Sequence, residues 1–157
     1  MIMLKRLILL VMTLATVTLT SAQDAKQLYQ EGKALYDAQK YDQAFPKLLK
    51  SAEKGNKKAQ YRVGRCYDKG RGVAKDKKTA FKWYQKSADQ DYAKAQLAVG
   101  KAYMKGTKGV TADPKKARTW LRKAVKNPKD GAEVLQKLKD EAAAGDEDAK
   151  QILEIIK

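Results

Sequence analysis

The chain repeats itself, and that decides most of what it can fold into. Ala59, Gln60, Val63, Gly64, Tyr67 and Gly70 recur 36 positions later as Ala95, Gln96, Val99, Gly100, Tyr103 and Gly106. One extra loop residue then shifts the register. Beyond it Val73, Asp76, Ala80, Trp83 and Lys86 recur at 37 as Val110, Asp113, Ala117, Trp120 and Lys123. A period in this range belongs to stacked supersecondary units, each too small to bury its own apolar face. Neighbouring units must therefore pack against one another to offset the entropy of ordering the chain.

Each copy reads as a helical hairpin. In its first helix Ala59, Val63 and Tyr67 fall at i, i+4 and i+8, with Gln60 and Gly64 beside them, which makes one narrow buried stripe. Gly70 stands where a residue of positive φ would end that helix. Asp76 and Asp113 are placed to cap the second helix, and Pro114 suits its first turn. Along the second helix Ala80, Trp83, Tyr84 and Ala88 form the stripe, matched by Ala117, Trp120, Leu121 and Ala124. Small residues alternating with large ones let two helices approach closely. On this reading Trp83 and Trp120 are buried anchors between repeats, and truncating either would cost about 3–5 kcal/mol.

The pattern A-x-x-x-x-G-x-x-Y-x-x-G, a Gly-Val loop, Asp, then A-x-x-W-[YL]-x-K resembles the Sel-one-like repeat family, a branch of the tetratricopeptide superfamily. It covers about 75 residues in two copies. The resemblance implies an all-α fold, a short right-handed α-solenoid of stacked antiparallel hairpins.

The flanks fit that frame more loosely. Residues 24–55 read as a degenerate first hairpin on Leu28, Gly32, Leu35, Tyr41, Ala44 and Leu48. Its turn lies near Asp37 to Lys40, Asp42 is expected to cap its second helix, and Pro46 falls early in that helix. The hairpins at 56–90 and 92–126 follow. After Asn127-Pro128, C-terminal helices over 130–156 carry Val134, Leu135 and Leu138, then Ala149, Ile152, Leu153 and Ile156. At the other end, Lys5 and Arg6 precede an apolar run from Leu7 to Leu19 and the small residues Thr20-Ser21-Ala22. These are the parts of a secretory signal peptide over residues 1–22, leaving a 23–157 solenoid that is periplasmic or secreted. The run is short of the ~20 residues a membrane-spanning helix needs, so no span is expected after cleavage.

Without residues 1–22 the chain would hold 32 basic and 18 acidic residues, a net charge of +14. Residues 23–129 carry 28 basic and 10 acidic residues, whereas 130–157 carry 4 and 8. A basic body with an acidic end points to anionic partners.

Catalysis has little to work with. The chain has no histidine, which excludes Ser-His-Asp and Cys-His arrangements and the usual zinc sites. Asp37, Asp42, Asp68, Asp76, Asp89 and Asp113 sit at turns and caps, and Asp146, Glu147 and Asp148 are consecutive, off any shared helix face. No phosphate-cradling glycine loop of the G-x-x-x-x-G-K-[ST] form occurs. Cys66 is the single cysteine, so no internal disulfide can form, and it reads as a small core residue. Neither an enzyme nor a cofactor or metal binder is expected.

The surface that remains is the polar face of the first helices. Lys58, Arg62, Arg65 and Lys69 follow one line in the second hairpin. Lys94, Lys101 and Lys105 follow it in the third, and Lys26 and Lys33 in the first, with Tyr29 alongside. The family resemblance implies that first helices line the concave side, where these residues would form a basic groove. There Arg and Lys would hold the carboxylates of an acidic protein or peptide. The second helices are equally basic, however: Lys75, Lys77, Lys78, Lys82 and Lys86, then Lys115, Lys116, Arg118, Arg122, Lys123 and Lys126. Two functions are therefore expected to compete. The one the sequence favours is an exported, non-enzymatic interaction scaffold or adaptor. The other is an electrostatic binder of polyanions such as anionic glycan, lipid headgroups or nucleic acid. Base-reading motifs are missing, which counts against nucleic acid.

Overall fold

The computed structural model of the chain describes residues 22–107 and 109–157. The expected leader lies outside the described residues, except for Ala22 at the start of the first helix. Helix α1 covers residues 22–37. It is followed by α2 (Tyr41–Glu53), α3 (Lys57–Lys69), α4 (Lys77–Ala88), α5 (Ala93–Lys105), α6 (Pro114–Lys126), α7 (Gly131–Ala143) and α8 (Glu147–Ile156). Contacts run between successive helices, so the described residues form an all-α solenoid of hairpins.

Local chemistry sets the helix ends. Asp76 Oδ1 accepts from the backbone N–H groups of Lys78 and Thr79, and Asp113 accepts from that of Lys116 with Pro114 in the first turn. Gly70 ends α3 in the left-handed region at φ 68°. After α3 and α5 the chain returns to the helix by one bond: Asp76 N donates to Tyr67 O at 2.9 Å, and Asp113 N to Tyr103 O at 2.8 Å. Asp42 is different from expectation. Lys40 is the N-cap of α2 and makes no side-chain cap, so Asp42 acts only as a first-turn charge favourable to the helix dipole. Asn56 caps α3 and Asp146 caps α8, roles the sequence reading gave to neither.

Within a hairpin, a glycine on the first helix receives a large side chain from the second. A Cβ added at Gly32 would lie 2.8 Å from Leu48 Cγ, one at Gly64 2.6 Å from Tyr84 Cδ1, and one at Gly100 2.7 Å from Leu121 Cδ2. Serines add a bond at the hairpin ends. Ser51 Oγ donates to Ala25 O at 2.6 Å, and Ser87 Oγ to Lys57 O at 2.7 Å. Between hairpins, Gln60 Nε2 donates to Ala52 O (3.1 Å) and Gln96 Nε2 to Ala88 O (3.5 Å). Gln60 Oε1 is satisfied by Gln90 Nε2 at 2.7 Å, but Gln96 Oε1 has no partner. The residue matching Gln90 is Asn127, whose shorter side chain donates to Asp91 O instead.

Loops dock as well. Gly72 (φ 69°) lies against the start of α2, where a Cβ would meet Tyr41 O at 2.3 Å, so any side chain there would push the loop off the preceding hairpin.

The tryptophans are corrected by the structure. Trp83 packs on the cluster of Leu48, Ala59, Val63 and Cys66, and Trp120 on that of Ala88, Tyr92, Ala95 and Val99. Both are only partly buried, and a lysine ammonium covers each ring: Lys86 at 4.5 Å over Trp83 and Lys123 at 4.7 Å over Trp120. The fully buried large residues are Leu48, Leu121, Leu138 and Ile152. Second-helix positions next to the tryptophan, not the tryptophan itself, meet the first helix at its glycine.

Cys66 is fully buried, and burial raises its thiol pKa to about 11 despite Arg62, Arg65 and Arg71 nearby. Only a small fraction is thiolate near neutral pH, and access is closed. A thiol reagent at pH 8 should therefore leave the folded protein essentially unlabelled and react promptly in denaturant. Rapid native labelling would contradict this burial.

Candidate partner-binding pocket

The helices that come first in each hairpin share a concavity of about 220 Å³. Tyr29 enters it from α1, Tyr61, Arg62 and Arg65 from α3, Lys94 and Leu97 from α5, and Glu133, Val134 and Lys137 from α7, with Tyr92 just before α5. The aromatic side is pre-arranged. Tyr61 lies edge-on to Tyr92 at 5.4 Å between ring centroids and 5.6 Å from Tyr84. Burial raises the phenol pKa of Tyr61, and of Tyr84 and Tyr92, so all three remain neutral at physiological pH. The pocket thus combines a neutral aromatic and aliphatic floor with the cations Arg62, Arg65, Lys94 and Lys137.

Those cations are oriented by neighbours. Arg62 Nη1 binds Asp37 Oδ1 at 3.1 Å, its guanidinium lies 4.9 Å from the Tyr36 ring centroid, and its side chain is only 17% exposed. Arg65 sits 5.8 Å from the same ring, and Arg71 bonds the Tyr36 hydroxyl at 2.6 Å. Tyr36, itself buried, therefore holds three arginines in place. Lys94 reaches Glu133 across to α7 at 2.7 Å. The Lys33 hydrogen bond, joined by the Arg62 charge, lowers the Asp37 pKa, and the Lys94 bond lowers that of Glu133. Both acids stay ionised through the neutral range and partly neutralise the cations they hold.

Of the residues expected to line one groove, the structure brings Tyr29, Arg62, Arg65 and Lys94 into this pocket. Lys26 and Lys58 flank it in a shallower depression that shares Tyr29. Lys69, Lys101 and Lys105 line a separate cavity of about 340 Å³, floored by Ala80, Phe81, Tyr84 and Ala102, where Lys105 bonds Asp148 of α8. Lys33 lines none of these hollows and bonds Asp37 at 2.6 Å. Tyr61, Tyr92, Leu97, Glu133, Val134 and Lys137 were missed. The one available signal was that Tyr61 and Leu97 occupy the same repeat position, directly after Gln60 and Gln96. Among the described residues no group of three or more Cys, Asp or Glu side chains is placed to hold a metal ion.

Comparison with known proteins agrees with this architecture. The Sel1 repeat family model matches residues 57–92 and 93–128. Among solved structures, a Sel1 repeat protein from Oxalobacter formigenes is 34% identical with a TM-score of 0.62, over 82% of this chain and 54% of that one. A protective antigen of uropathogenic Escherichia coli with an SLR fold is 28% identical with a TM-score of 0.66, over 87% of this chain and 30% of that one. The Helicobacter pylori cysteine rich protein B shares the fold at 21% identity and a TM-score of 0.54, over 72% of this chain and 96% of that one. This chain thus spans about half the length of the first of these and under a third of the second. No curated protein matches. Sel1-repeat proteins generally act by binding other proteins. With two matched repeats inside a solenoid of hairpins, the chain is a Sel1-like repeat protein over residues 57–128.

Proposed function

We propose that this chain is an exported, non-enzymatic scaffold whose first-helix pocket binds a carboxylate-bearing segment of a protein or peptide partner. The observation that carries the reading is the joint presence of Arg62, Arg65 and Lys94 above a floor of Tyr29, Tyr61, Tyr92 and Leu97. A free carboxylate beside an apolar side chain matches both parts at once. Arg offers two parallel N–H donors to a carboxylate, and neutral tyrosines present flat faces at low entropic cost. Because Tyr36 and Asp37 already hold the guanidinium of Arg62, little ordering remains to be done on binding. The missing histidine and the capping work of Asp76 and Asp113 support a role without catalysis.

The test is a peptide library displayed with free or amidated C-termini, run against the protein and an Arg62→Glu, Arg65→Glu form. A charge-assisted hydrogen bond contributes about 1.5–3 kcal/mol, so the double reversal should weaken genuine ligands at least tenfold. Circular dichroism must show that helix content persists in the variant. Ligands that bind both forms equally would place recognition elsewhere and end this reading.

A further inference from the structure

Ion pairing sets α4 and α6 apart from the helices around them. On the first-helix side Lys33 and Arg62 meet Asp37, Lys69 meets Asp68, Lys94 meets Glu133 and Lys105 meets Asp148. The second helices α4 and α6 differ sharply. Residues 77–88 and 114–126 contain ten Lys and Arg and no acidic residue. Among the described residues only one of these ten, Lys116, forms an ion pair, and its partner is Asp113, the cap of its own helix, at 3.5 Å. Nine of the ten are exposed and Arg122 is partly so.

Two contacts bring α6 and its leading loop against α4. The loop leading into α6 lays Gly109 on the Lys78 side chain, where a Cβ would come within 2.9 Å of its Cγ. Trp120 of α6 packs on the cluster that includes Ala88 of α4. Four of the lysines, Lys77, Lys78, Lys115 and Lys116, stand in first helical turns that hold no acid of their own beyond the caps Asp76 and Asp113. The positive end of a helix repels cations there. Self-repulsion on this scale lowers stability, and the ring contacts of Lys86, Lys116 and Lys123 involve only three of the ten.

We propose that the outward faces of α4 and α6 form a docking surface for an anionic lipid leaflet. The occupant is chosen by charge complementarity and by the shape of the array. The cations spread over two neighbouring helices rather than along one line, and headgroups in a fluid leaflet can gather beneath each of them. Eight of the ten are lysines, whose long apolar stems let the ammonium reach a headgroup while the stem lies on protein. A single-stranded nucleic acid would need open aromatic platforms. The rings that reach this face, Trp83 and Trp120, are each covered by a lysine. This inference does not rest on the peptide-binding reading, because it uses the opposite helices.

Sedimentation with phosphatidylcholine vesicles, with and without phosphatidylglycerol, tests it on the full chain. The apolar N-terminal run contributes equally to every form, so the quantity read is the increment that phosphatidylglycerol adds. Each lost cation should lower that increment roughly fivefold at low salt, so Lys82→Gln with Arg118→Gln lowers it about 25-fold. Lys139→Gln with Lys150→Gln removes the same charge from α7 and α8 and should change it less than about twofold. Should the first pair fail circular dichroism, Lys82→Gln alone carries the test, with an expected loss of about fivefold. Equal losses from the two pairs would mean that net charge, not this face, drives binding, and would overturn the proposal. So would the lack of any increment, or tighter binding to double-stranded DNA than to vesicles at equal phosphate concentration.

Discussion

Leu121→Ala is expected to destabilise the protein by about 3 kcal/mol, within the range of 2–5 for emptying a buried leucine site. Leu121 is completely buried among Ala93, Ala117, Ala124, Val134 and Leu138, so it joins α6 to α5 on one side and α7 on the other. Its removal leaves a cavity in a stack where each hairpin is stabilised by its neighbours. For a chain of this size the melting temperature should fall by roughly 10 °C. Trp120→Ala, one residue earlier, should cost only about 1–2 kcal/mol, because that ring is only partly buried and part of its contact is the Lys123 ammonium. Urea denaturation of the two variants decides the matter. A larger loss at Trp120 than at Leu121 would mean that the tryptophans are the anchors after all.

Gly100→Ala should also destabilise, by about 1–2 kcal/mol net, even though alanine is the better helix former by about 1 kcal/mol. The new Cβ would sit 2.7 Å from Leu121 Cδ2 and 3.1 Å from Leu121 N. The Leu121 side chain can rotate aside, but the backbone contact forces α5 and α6 apart, and overpacking a tight interface costs about 1–3 kcal/mol. Gly64→Ala should behave alike against Tyr84 and the Ala80 carbonyl at 3.2 Å. The two sites lie in different hairpins and share no partner, so combined they should cost about 2–4 kcal/mol. Placing Gly100→Ala on the Leu121→Ala background gives the sharper result. There the methyl enters the emptied space, and the pair should be less destabilised than the sum of the single changes. A stabilising Gly100→Ala would show that helix propensity outweighs packing at this contact.

Much of the scaffold was legible because it is local and recurs. A capping aspartate, a glycine of positive φ and a stripe at i, i+4, i+8 act within a few residues of themselves, so Asp76, Asp113 and Gly70 could be assigned from sequence. Where a signal stood alone it misled: Asp42 looks like a cap, yet the tight turn through Gln39, at φ 60°, starts α2 earlier at Tyr41. The tryptophans misled for a related reason. Repetition marks a position as constrained, but does not say whether the constraint is burial or a surface contact with lysine.

The candidate site was legible only in part. Arg62, Arg65 and Lys94 lie on one line along the first helices, and a helical projection finds them. Tyr92 precedes its helix and Val134 belongs to α7, which departs from the repeat, so no periodic rule connects either to that line. Charge pairing was likewise invisible, since Lys94 meets Glu133 only because α5 and α7 pack together.

The sequence alone determined the period, the hairpin, the helix ends and the family resemblance, all consequences of interactions between near neighbours or of one unit copied into the next. Only the tertiary structure decided which lysines are neutralised, which aromatic rings are core, and which residues meet in the first-helix pocket. Those properties depend on distances across stacked hairpins. A one-residue loop insertion or a missing methylene, as at Asn127 beside the unsatisfied Gln96, changes such distances without leaving a mark on the periodic pattern.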